Sequence, residues 1–179
     1  PTRRSSDLIM KDQPVVVDRN CHKSINHALT ITDAQPSLYL IPKRNGYGIL
    51  GLIPASDFTN LPNNAASVII TNSTYDGICY KVGDIVQQIG QAGIPQIHFD
   101  EAWYAHAKFH PMFQGYYAMD TPDIGTNMPL IFAVQSTHKM LPALSMASMI
   151  HVKEGTDPDR FELDRFNHAF MMHGKIGRA

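Results

Sequence analysis

With 179 residues, 44% of them hydrophobic and 17% charged, the chain is long enough for one domain with its own core and too apolar for a disordered segment. A formal net charge of −1 with no basic stripe excludes a nucleic-acid surface. No apolar run approaches the roughly 18 residues of a membrane span, and no apolar stretch of a secretory signal follows the basic start. Two cysteines, Cys21 and Cys79, form neither a disulfide framework nor a C-x-x-C, so a reducing cytoplasm is expected.

In chain order, Pro14–Asp18 (PVVVD) is a short β-branched strand bounded by proline and charge. His22–Ile31 fits a helix with Ile25, Ala28 and Leu29 on one face. Leu38–Ile41 and Ala66–Thr71 are the next strands. The intervening Pro54–Ala65, with Pro62 and three asparagines, predicts a shortened or missing helix. Val82–Gly93 is a helix: Val82, Ile85, Val86 and Ile89 share a face, and Gly93 stands where a helix stops. Pro95–Phe99, Leu130–Val134 and Ala147–Val152 are further strands, and Phe161–Met172 is a final helix with Phe166, Ala169 and Phe170 apolar. Strands alternating with crossovers predict an α/β fold, a three-layer αβα sandwich on a mainly parallel sheet.

The stretch Pro129–Leu141 (PLIFAVQSTHKML) carries the chemistry. An apolar strand delivers Ser136, Thr137, His138 and Lys139 to its carboxyl end, where ligands of open α/β sheets sit. A lysine there is either a surface residue or the amine that forms a Schiff base with an aldehyde cofactor. Asp100, at the end of another strand, is either a strand-end cap or a carboxylate that keeps a pyridine nitrogen protonated. On its own, His22 reads as a helix cap or surface group, and Trp103, the single tryptophan, suits a core as well as a cofactor site. Thr74 and Asp76 reach either a cofactor or the backbone of their own loop.

Two patterns are decoys. Gly46–Gly51 (GYGILG) matches G-x-G-x-x-G, but Ile53-Pro54 follows where a dinucleotide site needs a helix. His106 and His110 have the spacing of a helical metal pair, but Pro111 ends any helix there, and no metal is expected. Tyr104, Phe109, Phe113, Tyr116 and Tyr117 read as a packed lid or interface.

Five blocks occur in one order: DRNCHKS at Asp18–Ser24, TNSTYDG at Thr71–Gly77, HFDEAW at His98–Trp103, STHK at Ser136–Lys139 and MMH at Met171–His173. Together, from Val15 to His173, they resemble the bacterial ornithine/lysine/arginine decarboxylases that use pyridoxal 5'-phosphate, of the aspartate-aminotransferase fold. The resemblance implies a partial fold type I large domain. It implies that Lys139 bonds the cofactor aldehyde, Asp100 faces the ring nitrogen, and His22 and Ala102 cover the two ring faces. Ser136 and His138 would then bind the phosphate, with Trp103 nearby. Lys139, Asp100 and His22 are the implied catalytic residues.

The implied reaction is decarboxylation of a basic amino acid. HFDEAWYA at His98–Ala105 points toward the biodegradative arginine enzymes, hence arginine to agmatine plus CO2, because the lysine and ornithine forms more often carry serine at the position of Glu101. Met146 departs from the family pattern at a position where glutamine is usual. The alternatives are a lysine or ornithine decarboxylase of the same family, or an inactive fragment that retains no cofactor. The resemblance further implies a homodimer or decamer of the full-length protein.

The ends look foreign. PTRRSSDL (residues 1–8) resembles a translated sequencing adapter and KIGRA (residues 175–179) its reverse complement, so residues 9–174 are expected to be an internal part of the major domain. Relatives place a Ser/Thr phosphate loop before the first strand, and Ser5 and Ser6 are not expected to replace it.

Overall fold

A computed structural model describes residues 13–173. The readings of residues 1–8 and 175–179, and of Ser5 and Ser6, lie outside these residues. Six strands form one sheet: β1 (Pro14–Asp18), β2 (Gln35–Leu40), β3 (Ser67–Thr71), β4 (Gln96–Asp100), β5 (Leu130–Gln135) and β6 (Met149–Lys153). Their spatial order is β2-β1-β3-β4-β5-β6. The first five are parallel and β6 runs antiparallel to β5.

Helices cover both faces, as the αβα expectation requires. On one face, α1 (Lys23–Thr32) packs through Leu29 and Ile25 on Val15 and Val17. There too Phe166 of α4 (Leu163–His173) stacks on Phe132, with ring centroids 6.1 Å apart. Ala28, expected on the buried face of α1, is exposed instead. The other face carries the main core, in which Val16, Val68, Ile70, Ile97, Phe99, Ile131 and Ala133 meet α2 (Val82–Gln91). On α2, Val82, Ile85, Val86 and Ile89 recur at i, i+3, i+4 and i+7, and all four are buried. Each such side chain contributes about 1.5–3 kcal/mol relative to exposure. The helix stops because Gly93 turns left-handed (φ 74°) and the Ile94 N–H reaches back to the Ile89 carbonyl at 3.2 Å.

Most boundaries shift by one to three residues from the sequence expectation, and two of the shifts have a local cause. β2 begins at Gln35, three residues before Leu38, and takes in Pro36. As an edge strand with a register shift opposite Val15 and Val16, it tolerates a residue with no N–H. The final helix begins at Leu163 because Pro158–Arg160 form a separate 3-10 turn and leave Phe161 to pack on Phe132. The Pro54–Ala65 segment does lose its helix. Only the single 3-10 turn Ala55–Phe58 remains, and Phe58 is inserted into the core. Among the described residues no helix is long and apolar enough to cross a membrane.

The chain leaves β1 toward β2 on one side and β3 toward β4 on the other, so strand order reverses between β1 and β3. At such a switch point the carboxyl ends of the strands splay their loops apart and open a crevice.

Candidate active site

The residues singled out by sequence gather at that carboxyl edge. Asp100 ends β4 in register with Val134 of β5, whose carbonyl accepts the Glu101 N–H at 2.9 Å. One residue past β5, Ser136 opens the single helical turn α3 (Thr137–Met140), which carries Lys139. The exposed Lys139 amine lies 5.0 Å from the centroid of the Trp103 ring, and Tyr75 meets that ring edge-on at 5.8 Å. Trp103 is therefore half-exposed beside Lys139 and is no core residue. Ala102 donates its N–H to Oδ1 of Asp100 at 3.1 Å. Oδ2 of Asp100 has no partner among the described residues, which leaves one acceptor free at the strand tip.

The remaining candidates hold local backbone. His22 caps α1, with Nδ1 accepting the Ser24 N–H at 3.2 Å. His138 lies 2.8 Å through Nδ1 from the Ala147 carbonyl, which ties the lysine turn to the approach to β6. With Nδ1–H so engaged, only the imidazolium form of His138 presents a second N–H to an anion. The Ser136 hydroxyl caps nothing. Thr74 serves its own loop: its hydroxyl accepts the Ile78 N–H at 3.1 Å, and Gly77 turns left-handed (φ 80°).

Neither decoy builds a site. Residues 44 and 50 pair as an antiparallel bridge, so Gly46–Gly51 is a hairpin turn. The His106 ring packs edge-on between Tyr104 and Phe113, and no cluster of potential metal ligands occurs among the described residues. Tyr104, Phe113, Tyr116 and Tyr117 form the expected aromatic cluster, but Phe109 is exposed outside it. Burial pushes the Cys21 and Cys79 thiols up, which argues against either as a thiolate nucleophile.

The sequence reading missed a buried polar row. In register, Thr71, Asp100 and Val134 stand side by side on β3, β4 and β5. One residue further, Asn72, Glu101 and Gln135 therefore leave the opposite face of the sheet together. Glu101 is fully buried. Its Oε1 accepts the Asn72 side-chain amide at 2.8 Å and the Ala118 N–H at 2.7 Å; its Oε2 accepts the Gln135 amide at 2.8 Å. Gln135 in turn meets His151 Nε2 on β6 at 3.2 Å, and Asn72 accepts the Tyr80 N–H at 3.1 Å. Burial pushes the Glu101 carboxyl up to about 7, against the three N–H bonds that favour its anion. On β1, next to β3, Asp18 behaves similarly: it accepts the Asn20 and Thr71 N–H groups at 2.8 and 3.2 Å, and its carboxyl is also raised by burial. The available clue was a polar residue directly after each apolar strand.

Glu101, the residue on which the sequence reading leans toward an arginine enzyme, thus has its side chain buried among the Asn72 and Gln135 amides and the Ala118 N–H.

The mainly parallel sheet, with a lysine turn and an aspartate on neighbouring strand tips, superposes on part of the large domain of solved fold type I enzymes. The family model for the Orn/Lys/Arg decarboxylase major domain matches residues 5–176, and the chain belongs to that family. It is 46% identical to lysine decarboxylase LdcA of Pseudomonas aeruginosa over 93% of this chain and 24% of that protein. It is 43% identical to the biodegradative arginine decarboxylase of Escherichia coli over 89% of this chain and 23% of that one. The solved structure of the E. coli constitutive lysine decarboxylase superposes with a TM-score of 0.80 at 39% identity, covering 94% of this chain and 24% of that one. The chain thus spans about a quarter of the length of the curated relatives it matches. The nearly equal identities to a lysine and an arginine enzyme give arginine no preference.

Proposed function

We propose that this chain is the cofactor-binding portion of a cytoplasmic, pyridoxal-phosphate-dependent decarboxylase that acts on a basic amino acid. The observation that carries the reading is the delivery of Lys139 and Asp100 to the carboxyl ends of two hydrogen-bonded strands, with one Asp100 oxygen unpartnered among the described residues.

These residues fit pyridoxal phosphate. Lys139 would hold its aldehyde, Asp100 its ring nitrogen, Ser136 and His138 its phosphate, and His22 and Ala102 its ring faces, with Trp103 beside the lysine. When bound, the cofactor supplies an electron sink for the charge left on the substrate α-carbon as CO2 departs. Asp100 holds the proton on the ring nitrogen, because an adjacent negative charge favours the protonated form. Lys139 brings exchangeable protons to the site. One proton replaces the lost carboxylate in each turnover. Trp103 limits the orientations of the Lys139 amine by cation–π attraction, worth about 0.5–1 kcal/mol at an exposed site.

The same reading takes residues 9–174 as an internal portion of the major domain of a longer homodimer or decamer. The upstream and downstream coding sequence and light scattering of the complete polypeptide test those points. Function is tested by CO2 release from lysine, arginine and ornithine by the complete polypeptide with added pyridoxal phosphate. Release from at least one of them is expected, with loss in Lys139→Ala of the visible band of the bound cofactor. Release undiminished by Lys139→Ala overturns the assignment.

A further inference from the structure

We infer that Glu101 is the positioning residue that fixes the Asp100 tip and the lysine turn relative to each other, an inference that rests on the site proposed above. Asp100 and Glu101 are consecutive and leave opposite faces of β4, so the Glu101 side chain grips the underside of the strand tip that presents Asp100. One Glu101 oxygen binds Gln135, the last residue of β5, and the Ser136–Lys139 segment starts at the next residue. The other oxygen binds Asn72 at the end of β3 and the Ala118 N–H of the aromatic segment. His151 steadies the far side of Gln135 from β6. Three strand ends and one loop are thereby referred to a single carboxylate, with the middle of β6 joined to it through Gln135. Site groups need placement to within about 0.5 Å, and a displacement of about 1 Å costs on the order of 100-fold in rate.

The bonding pattern also indicates how the grip can be kept without the charge. In Glu101→Gln, Oε1 keeps its two donors and the new amide faces Gln135. Gln135 then flips, accepting through Oε1 and donating to His151 Nε2, which the other tautomer of a neutral imidazole allows. Every bond is restored. In Glu101→Ala, the Ala118 N–H and one amide proton each of Asn72 and Gln135 are buried without an acceptor. Gln135→Leu cuts the β5 arm alone.

The test uses the complete polypeptide reconstituted with pyridoxal phosphate. It reads melting temperature, the visible band of the bound cofactor, cofactor affinity, and kcat and KM separately. Glu101→Ala and Gln135→Leu are expected to lose about 10-fold or more in kcat at nearly constant KM and to bind the cofactor more weakly, while Glu101→Gln stays within about threefold of the parent. Should Glu101→Ala fail to fold, Gln135→Leu carries the same comparison. Lower melting temperatures with unchanged kcat, band and affinity make Glu101 merely structural and overturn the inference; so does a Glu101→Gln that is folded but as impaired as the alanine variant. Lys139→Ala separates the two levels: a band that survives in it overturns the site itself, and the positioning role with it.

Discussion

A buried carboxylate surrounded only by amide donors titrates late, and for Glu101 the direction sets the sign of its effect on stability. Its folded value is pushed up to about 7 from an ordinary 4.5. Between those values the folded chain keeps a proton that the unfolded chain has released, so stability falls as pH rises through this window. Above it the cost levels off on the order of 3 kcal/mol. Asp18, also raised by burial, acts in the same direction from its own lower starting point. Glu101→Gln removes the Glu101 contribution, so its melting temperature is expected to change less than the parent's between about pH 5 and about pH 8. His22 allows a second separation at this scale. His22→Asn keeps a side-chain cap for the Ser24 N–H but removes the imidazole. Weaker cofactor binding at an unchanged melting temperature assigns the ring to the cofactor; a change in neither leaves His22 as a cap alone.

At the scale of elements, α2 shows what a local pattern can specify. Four apolar residues at helical spacing and a glycine at the stop define its buried face and its end, and both are read without tertiary information. The packing of Gly90 is not legible in that way. A methyl added there would lie 2.5 Å from the Asn127 carbonyl oxygen, a backbone atom of a distant loop. Gly93 has open space around it and only a left-handed backbone to forbid a side chain. Gly90→Ala is therefore expected to destabilise more than Gly93→Ala, which costs about 1 kcal/mol, when the two are compared by denaturant unfolding. Ile89→Ala, in the fully buried stripe, is expected to cost about 2–5 kcal/mol in the same measurement. The start of β2 was missed for the converse reason: Pro36 reads locally as a breaker, and only its edge position makes it acceptable.

Across the whole molecule, the αβα layering and the carboxyl-edge placement of Asp100 and Lys139 were legible because alternating elements and the five sequence blocks carry them. The antiparallel run of β6 was not, since strand direction leaves no mark on a five-residue apolar pattern. Nor was the Asn72–Glu101–Gln135 row, which exists only through the register of β3, β4 and β5, brought together over 63 residues of chain (135 − 72). Burial predicts how protection is distributed. Amides of β3, β4 and β5, central in the sheet, are expected to exchange hydrogen slowest, and those of β2 and β6, at its edges, fastest; mass-spectrometric exchange of the complete polypeptide checks this.

Among the described residues, no lysine or arginine joins the grip on the strand ends. Glu101 is held by side-chain and backbone amides, and Asp18 by backbone N–H groups, so each is stabilised by short-range dipoles inside the protein. Mobile counterions reach exposed charges and weaken ion pairs at the surface, but they do not penetrate such an arrangement. The difference in melting temperature between the parent and Glu101→Gln should therefore be the same in about 0.05 M and about 1 M sodium chloride. A chain built this way is expected to keep the shape of its strand-tip edge across a wide range of ionic strength.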